Sequence, residues 1–154
     1  YLQSYPDPKV LEKKAAGLKR AQLILAKWIL VMHNFEKQLY KDPSQDLTKL
    51  WWNLVNQYQK IRPPVNRENN QDWASKYHIA LAPVYYYSYL LGELFASSLK
   101  NTLEKETNLW TEASGTFLKE TLFYPGSSYR WDELVEKVTG EELSEADWIS
   151  DYGN

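Results

Sequence analysis

Apolar residues recur along most of the chain at intervals of three and four positions, which is the period of an α-helix. The clearest stripe lies near the start and consists of Leu18, Ala21, Leu25, Trp28, Met32, Phe35 and Leu39. It predicts a first helix from Pro8 to Tyr40, with Asp7 as N-cap and Pro8 at the first helical position. Pro43 disfavours helical geometry at the residue before it and therefore predicts the end of this helix.

A second helix is predicted after this break, ending before Pro63-Pro64. Its inner face consists of Leu47, Leu50, Leu54, Tyr58 and Ile61. Residues 62–82 are polar and rich in turn-forming residues, which indicates a surface connection. A third helix is predicted from Pro83 to Lys105, because proline suits the first turn of a helix.

Three more helices are predicted towards the C-terminus. One spans Asn108–Phe123, and a short one spans Trp131–Val138 and ends at Gly140. The last begins at a capping box, Ser144 to Asp147, and carries Trp148 and Ile149. No segment alternates with period two for long enough to predict a strand. Residues 1–154 are therefore predicted to form a single all-α domain, a bundle of about four longer helices plus two short C-terminal helices.

Charge and composition exclude several classes of function. Eighteen Lys and Arg against 20 Asp and Glu give a net charge of −2, so the strong positive field typical of nucleic-acid binding is missing. No cysteine is present, which excludes disulfides, thiol catalysis and Cys-ligated zinc. The longest apolar stretch, Leu18 to Met32, contains three basic residues and cannot span a membrane. Because the chain begins at Tyr1 without a methionine, we expect a piece of a larger protein.

The segment from Lys76 to Tyr89 concentrates side chains that suit acyl-group chemistry. It brings together a lysine, the imidazole of His78 and a run of tyrosines around a loop that leads into the third helix. A lysine binds a carboxylate as a point charge, and imidazole and phenol groups donate hydrogen bonds to an oxyanion without being ionised. Tyrosines at helical spacing are more often packing residues, so a structural role is the alternative interpretation.

Motifs for a complete active site are absent from the sequence. The two histidines are His33 and His78, and neither starts an H-E-x-x-H zinc motif. The chain also contains no Gly-rich phosphate loop and no G-x-S-x-G nucleophile elbow. His33 is interpreted as structural, and no residue is assigned as a metal ligand.

Several ordered motifs nevertheless resemble the angiotensin-converting-enzyme family of zinc peptidyl-dipeptidases. The matching segments are Leu50–Gln59, Pro63–Arg67, Lys76–Ile79 and Gly126–Gly140. The segment Tyr85–Phe95 also resembles the related thimet-oligopeptidase type, and bacterial members are the most similar, through Met32–Glu36 and Tyr40–Pro43. The similarity covers residues 25–150 and implies one lobe of a larger helical metallopeptidase.

The resemblance implies roles for individual residues. Lys76 matches the lysine that binds the C-terminal carboxylate of the substrate, and His78 matches the histidine that contacts the substrate backbone and stabilises the transition state. Tyr87 matches the tyrosine that stabilises the oxyanion when Pro83 is aligned with the family's proline. That alignment needs a one-residue gap. Without the gap, Ser88 matches the position of the oxyanion-stabilising tyrosine.

Two neighbouring positions depart from the animal converting enzymes. Tyr86 stands where those enzymes have a chloride-binding arginine, which argues against chloride activation, and it is assigned with Lys76 to substrate binding. Val84 stands where they have a second carboxylate-binding tyrosine, and Tyr85 is the candidate to replace that tyrosine in substrate binding.

The family's zinc ligands and general base lie upstream of the matched region. The resemblance therefore implies zinc in the full-length parent, an oligopeptide substrate, and an isolated chain that binds no catalytic zinc and is inactive. Family members are often exported, which favours a periplasmic or secreted location. The alternative is a non-catalytic helical interaction module related to these peptidases. If the chain is one lobe of a larger protein, we expect the isolated chain to self-associate through an apolar face that the rest normally covers, either the stripe of the first helix or the tyrosine-rich face of the third.

Overall fold

The computed structural model describes residues 7–67 and 69–153, and those ranges contain helices, turns and loops but no strand. The α-helices are α1 (Pro8–Lys41), α2 (Leu47–Gln59), α3 (Tyr77–Ala80), α4 (Tyr87–Glu106), α5 (Glu112–Leu118), α6 (Trp131–Thr139) and α7 (Ala146–Tyr152). A 3₁₀ turn spans Asp72–Ser75 and a π-helical turn spans Lys119–Phe123. The predicted all-α class is confirmed.

The chain divides into two compact units, one ending at Leu90 and the other beginning at Leu91. No helix in the described ranges combines the length and apolar character needed to cross a membrane. The prediction of a single domain over residues 1–154 stays a prediction.

The bounds of α1 agree with the sequence pattern. The Asp7 carboxylate accepts a hydrogen bond of 2.9 Å from the Lys9 N–H, and Pro8 occupies the first helical position. The helix ends at Lys41, one residue later than predicted, because Asp42 has extended backbone geometry ahead of Pro43.

The core of the first unit forms where the C-terminal half of α1 packs on α2. Its buried residues are Val31, Met32, Phe35, Trp51, Leu54 and Val55. The rings of Phe35 and Trp51 meet edge to face at 5.2 Å between centroids, a favourable aromatic geometry. The predicted stripe is therefore buried only along its second half, since Leu18 is 65% exposed.

One residue assigned to the inner face of α2 is wrongly placed. Ile61 is 52% exposed, because α2 ends at Gln59 and Lys60 adopts a left-handed conformation with φ of 60°. The chain direction changes there, so Ile61 cannot continue the helical face. The connection predicted for residues 62–82 also contains local helical structure, namely the 3₁₀ turn and α3.

The predicted start of the third helix at Pro83 is wrong. The helix, α4, begins at Tyr87, and the residues before it form a turn and loop. Val84 has φ of 57°, a left-handed value that is incompatible with a right-handed helix. The Val84 N–H donates to the Glu36 carboxylate of α1, and this tertiary bond is invisible to a periodicity argument.

The helix predicted over Asn108–Phe123 is shorter than expected. Asn108 and Trp110 have positive φ values of 62° and 63°, so regular α-helix starts only at Glu112. Thr111 and Ser114 form a reciprocal capping box at that point. The remainder, Lys119–Phe123, is wound as a π-helical turn.

Of the two short C-terminal helices, α6 agrees with its prediction and ends at Gly140, whose φ of 80° suits glycine. The capping box predicted at the start of α7 forms only in part: the Ser144 hydroxyl accepts a hydrogen bond of 3.4 Å from the Ala146 N–H, while Glu145 at the N-cap makes no side-chain cap bond. Asp147 instead accepts a hydrogen bond of 2.7 Å from the Asn101 amide, so its carboxylate is engaged elsewhere.

Replacing Phe35 by alanine should lower the free energy of unfolding of the 154-residue chain by about 3–5 kcal/mol, because a fully buried aromatic ring is lost. The matched control is Leu18→Ala on the exposed part of the same helix, expected to change it by about 0.5 kcal/mol or less. Urea unfolding followed by tryptophan fluorescence measures both. Equal losses would contradict a core centred on Phe35.

Candidate active site

The imidazole of His78 lies inside a cluster of phenol rings. It belongs to the single-turn helix α3, and its ring centroid is 4.6 Å from that of Tyr86, 5.3 Å from Tyr77 and 5.8 Å from Tyr89. Tyr85 lies nearly parallel to it at 6.4 Å. We call these five residues the imidazole–phenol cluster. It brings together three of the predicted site residues, His78, Tyr85 and Tyr86.

Tyr85 and Tyr86 differ in their surroundings. Tyr85 precedes α4 and is 51% exposed, so its hydroxyl is accessible to a ligand. Tyr86 is half-buried and packs against the core of the first unit, as well as against the edge of His78. Tyr86 thus combines the packing role that the alternative interpretation assigned to such tyrosines with contact to the candidate site.

Tyr89 is the phenol whose hydroxyl contacts His78. Its oxygen lies 3.4 Å from Nε2 of His78, and the imidazole tautomer decides which group donates. An oxygen atom placed beside the pair, rather than between the two atoms, can accept from both groups when it replaces the 3.4 Å contact between them. Tyr89 ends the predicted motif but is not among the predicted site residues. The available signal was its spacing of four from Tyr85, with which it packs edge to face at 5.6 Å.

Tyr87 lies in a different aromatic environment from His78. It is the first residue of α4, and its ring meets that of His33 at 5.9 Å between centroids. The two rings, with Glu36 and Val84, line a cleft of about 230 Å³. His33, interpreted as structural from the sequence, is an exposed residue that contacts a predicted site residue.

The competing position, Ser88, already has a hydrogen-bond partner. Its hydroxyl donates to the backbone carbonyl of Tyr85 at 2.6 Å. A hydroxyl whose proton is engaged in this way is a poor donor to a substrate oxygen. In this structure the proton of the Ser88 hydroxyl is therefore already engaged within the turn that starts α4.

Lys76 points its ammonium group at two indole rings. Nζ lies 5.8 Å from the ring centroid of Trp28 and 5.7 Å from that of Trp51, within the range of cation–π attraction. Together with Trp52, Arg67 and Asp72, these residues line a cleft of about 410 Å³, which we call the tryptophan cleft.

Charge in the tryptophan cleft is only partly compensated. Arg67 pairs with Asp72, and this hydrogen-bonded ion pair holds the pKa of the Asp72 carboxyl below its usual value, with a smaller electrostatic contribution from Lys76. Among residues 7–67 and 69–153, no carboxylate lies within ion-pair distance of Lys76 itself. The lysine therefore has the capacity to bind an incoming carboxylate.

The described part of the chain does not supply a metal-binding donor set. Nowhere in it do three His, Cys, Asp or Glu side chains converge as ligands for a metal ion. His78 is surrounded by phenol rings, and the cleft beside His33 contains one carboxylate, that of Glu36. The described residues thus do not fit a catalytic zinc site, which needs three protein ligands and an open position.

The comparisons identify the family to which the chain belongs. Residues 9–154 match Peptidase family M3, and the chain belongs to this family of metallopeptidases. It is also similar to the mouse (Mus musculus) "Angiotensin-converting enzyme-like protein Ace3", with 34% identity over 102 residues, 59% of this chain and 14% of that relative. No solved structure matches the chain.

These findings confirm the resemblance to metallopeptidases of the converting-enzyme and thimet-oligopeptidase type. The chain spans 14% of the length of the curated relative, so activity, substrate and partners of a whole protein are matters for proposal. The bacterial origin and the periplasmic or secreted location stay predictions.

Proposed function

We propose that this chain is part of a zinc-dependent peptidyl-dipeptidase that removes dipeptides from the C-termini of oligopeptides. In this proposal the chain binds the substrate's terminal carboxylate and stabilises the oxyanion of the transition state. The observation that carries the proposal is the imidazole–phenol cluster, which lies directly after Lys76 in a chain that belongs to Peptidase family M3.

Lys76 is the carboxylate anchor in this scheme. Its ammonium group has aromatic faces on two sides and no ion-pair partner among the described residues. The indole rings hold the charge in place without neutralising it, so a substrate carboxylate meets a cation already oriented in a cleft.

His78 and a tyrosine supply donors to the developing oxyanion. Tyr87 holds this role by its match to the family pattern, and Tyr89 is favoured by its 3.4 Å contact with His78. An imidazole N–H and a phenol O–H can both donate a hydrogen bond to an oxyanion without being ionised. Donors fixed before the reaction stabilise the transition state more than the ground state.

Zinc, when bound in the parent protein, supplies carbonyl polarisation and an activated water. Its ligands in this proposal come from sequence outside residues 7–67 and 69–153, since the described residues do not fit a zinc site. The same observation favours the second candidate function, a non-catalytic helical interaction module related to the peptidases.

Extension of the chain to the natural start of its reading frame should distinguish the two candidates. We expect the extended protein to bind zinc and to release a dipeptide from a blocked tripeptide, whereas the 154-residue chain does neither. Metal analysis and chromatography of the products measure both properties. An extended protein without zinc and without activity would favour the interaction module, and cleavage by the short chain would refute the assignment of its role.

Phenylalanine substitutions should identify the oxyanion donor. Removal of one such hydroxyl lowers kcat by about 100- to 1,000-fold. In the full-length protein, Tyr87→Phe should show this loss if Tyr87 is the donor, as the family match indicates. Tyr89→Phe should show it instead if the donor is Tyr89, which contacts His78. Tyr85→Phe is the matched control within the same cluster and should reduce kcat much less. Unchanged kcat in both the Tyr87 and Tyr89 variants would contradict an oxyanion role for either phenol.

Lys76→Ala in the full-length protein should raise KM for substrates with a free C-terminal carboxylate by about 10-fold or more, because a charged hydrogen-bond partner is lost. KM for the same peptides with an amidated C-terminus should change much less. Arg67→Ala is the matched control, since it removes the other cation of the tryptophan cleft. Equal effects of Lys76→Ala on free and amidated substrates would rule out the anchor role.

A further inference from the structure

Glu36 is a buried carboxylate in the first unit that the proposed chemistry does not use. It follows Phe35 on α1 and is only 6% exposed. No cation of residues 7–67 or 69–153 lies within ion-pair distance of it. Because burial of a carboxylate without a partner is unfavourable, the group it does contact matters for the local structure.

That contact is the backbone N–H of Val84, which donates to Oε1 of Glu36 across 48 positions of sequence. Val84 has φ of 57°, which is a genuine outlier for a β-branched residue. Such a conformation persists only where the surrounding structure holds it. A charged acceptor on the rigid helix α1 provides a strong directional restraint of this kind.

Val84 lies at the point where the chain enters the candidate site. Tyr85 and Tyr86 follow it and pack against His78, and Tyr87 then begins α4 and packs against His33. A different φ at Val84 would redirect the tyrosines that follow. The side of α1 that carries Glu36 also carries His33 and lines the cleft next to Val84 and Tyr87.

We propose that Glu36 is a positioning residue: through the Val84 N–H, its carboxylate holds the loop that places the tyrosines relative to His78. The expected effect of Glu36 on kcat rests on the proposed function. Its structural part, that Glu36 restrains residues 81–90, is independent of any activity.

The first test compares Glu36→Leu with Glu36→Gln in the full-length protein. Leucine removes the acceptor, whereas glutamine keeps an oxygen for the Val84 N–H. Loss of a hydrogen bond to a charged group should speed amide hydrogen exchange over residues 81–90 by about 10- to 100-fold in Glu36→Leu, and by about threefold or less in Glu36→Gln. Residues 47–59 of α2 serve as the internal reference and should keep their exchange rates.

Glu12→Leu is the matched control variant, because it makes the same replacement at an exposed glutamate of α1. It should leave exchange over residues 81–90 unchanged. In kinetics, Glu36→Leu should lower kcat by about 10-fold or more, with a smaller change in KM, because Lys76 still binds the carboxylate. Glu36→Gln should restore most of the lost kcat.

Val84→Gly separates positioning from general loss of stability. Glycine adopts a positive φ without steric cost, so the loop needs less restraint from Glu36 in this background. The effect of Glu36→Leu on exchange over residues 81–90 should therefore be several-fold smaller in Val84→Gly than in the parent. An unchanged effect would overturn the proposal, and so would equal acceleration of residues 47–59 and 81–90.

The two proposals fail in distinguishable ways. A wild-type protein that cleaves no peptide would refute the proposed function, while the exchange measurements would still decide the role of Glu36. An active protein in which Glu36→Leu leaves exchange over residues 81–90 as in wild type would refute the role of Glu36 alone. Should Glu36→Leu fail to fold, Glu36→Ala, which also removes the acceptor, replaces it in every comparison: faster exchange over residues 81–90 that is several-fold smaller in the Val84→Gly background supports the proposal, and exchange as in wild type overturns it.

Discussion

The ring of Phe35 lies between Trp51 and Trp73, and the arrangement of the first unit depends on this contact. Its centroid is 5.2 Å from the ring of Trp51 in α2 and 5.4 Å from that of Trp73 in the 3₁₀ turn. Three segments distant in sequence are thereby fixed relative to one another. The 3₁₀ turn leads directly to Lys76, whose ammonium group rests on Trp51 and Trp28. The candidate substrate anchor is thus built on the surface of the hydrophobic core.

Local rules predicted much of this fold. The three- and four-residue periodicity and the signals at Asp7, Pro8 and Gly140 gave α1 and α6 to within one residue. The errors occur where a tertiary contact competes with a local preference. Val84 bonds to Glu36 instead of entering a helix, and Asp147 accepts from Asn101 instead of capping α7. Glu36 is 48 positions away from Val84, and Asn101 is 46 positions away from Asp147, so neighbouring residues in the sequence do not predict either bond.

The same distinction explains what could be predicted of the candidate site. Lys76 and His78 stand in a recognisable motif, so the sequence located them and the resemblance assigned their roles. The sequence could not predict which tyrosines contact His78 and which contacts His33, because this depends on where α4 begins. A helix starting at Pro83 would place Tyr85 and Tyr89 one turn apart on one face. The observed loop instead brings both around His78, while Tyr87 turns towards His33.

The uneven burial of α1 has a consequence for how this helix unfolds. Its 34 residues span about 51 Å at the usual rise, yet its buried residues all lie between Ile29 and Glu36. The turns before Trp28 contain no buried residue, and isolated helical segments of about 12–15 residues are marginal in water. We therefore expect α1 of the 154-residue chain to fray from Pro8 before its aromatic end unfolds.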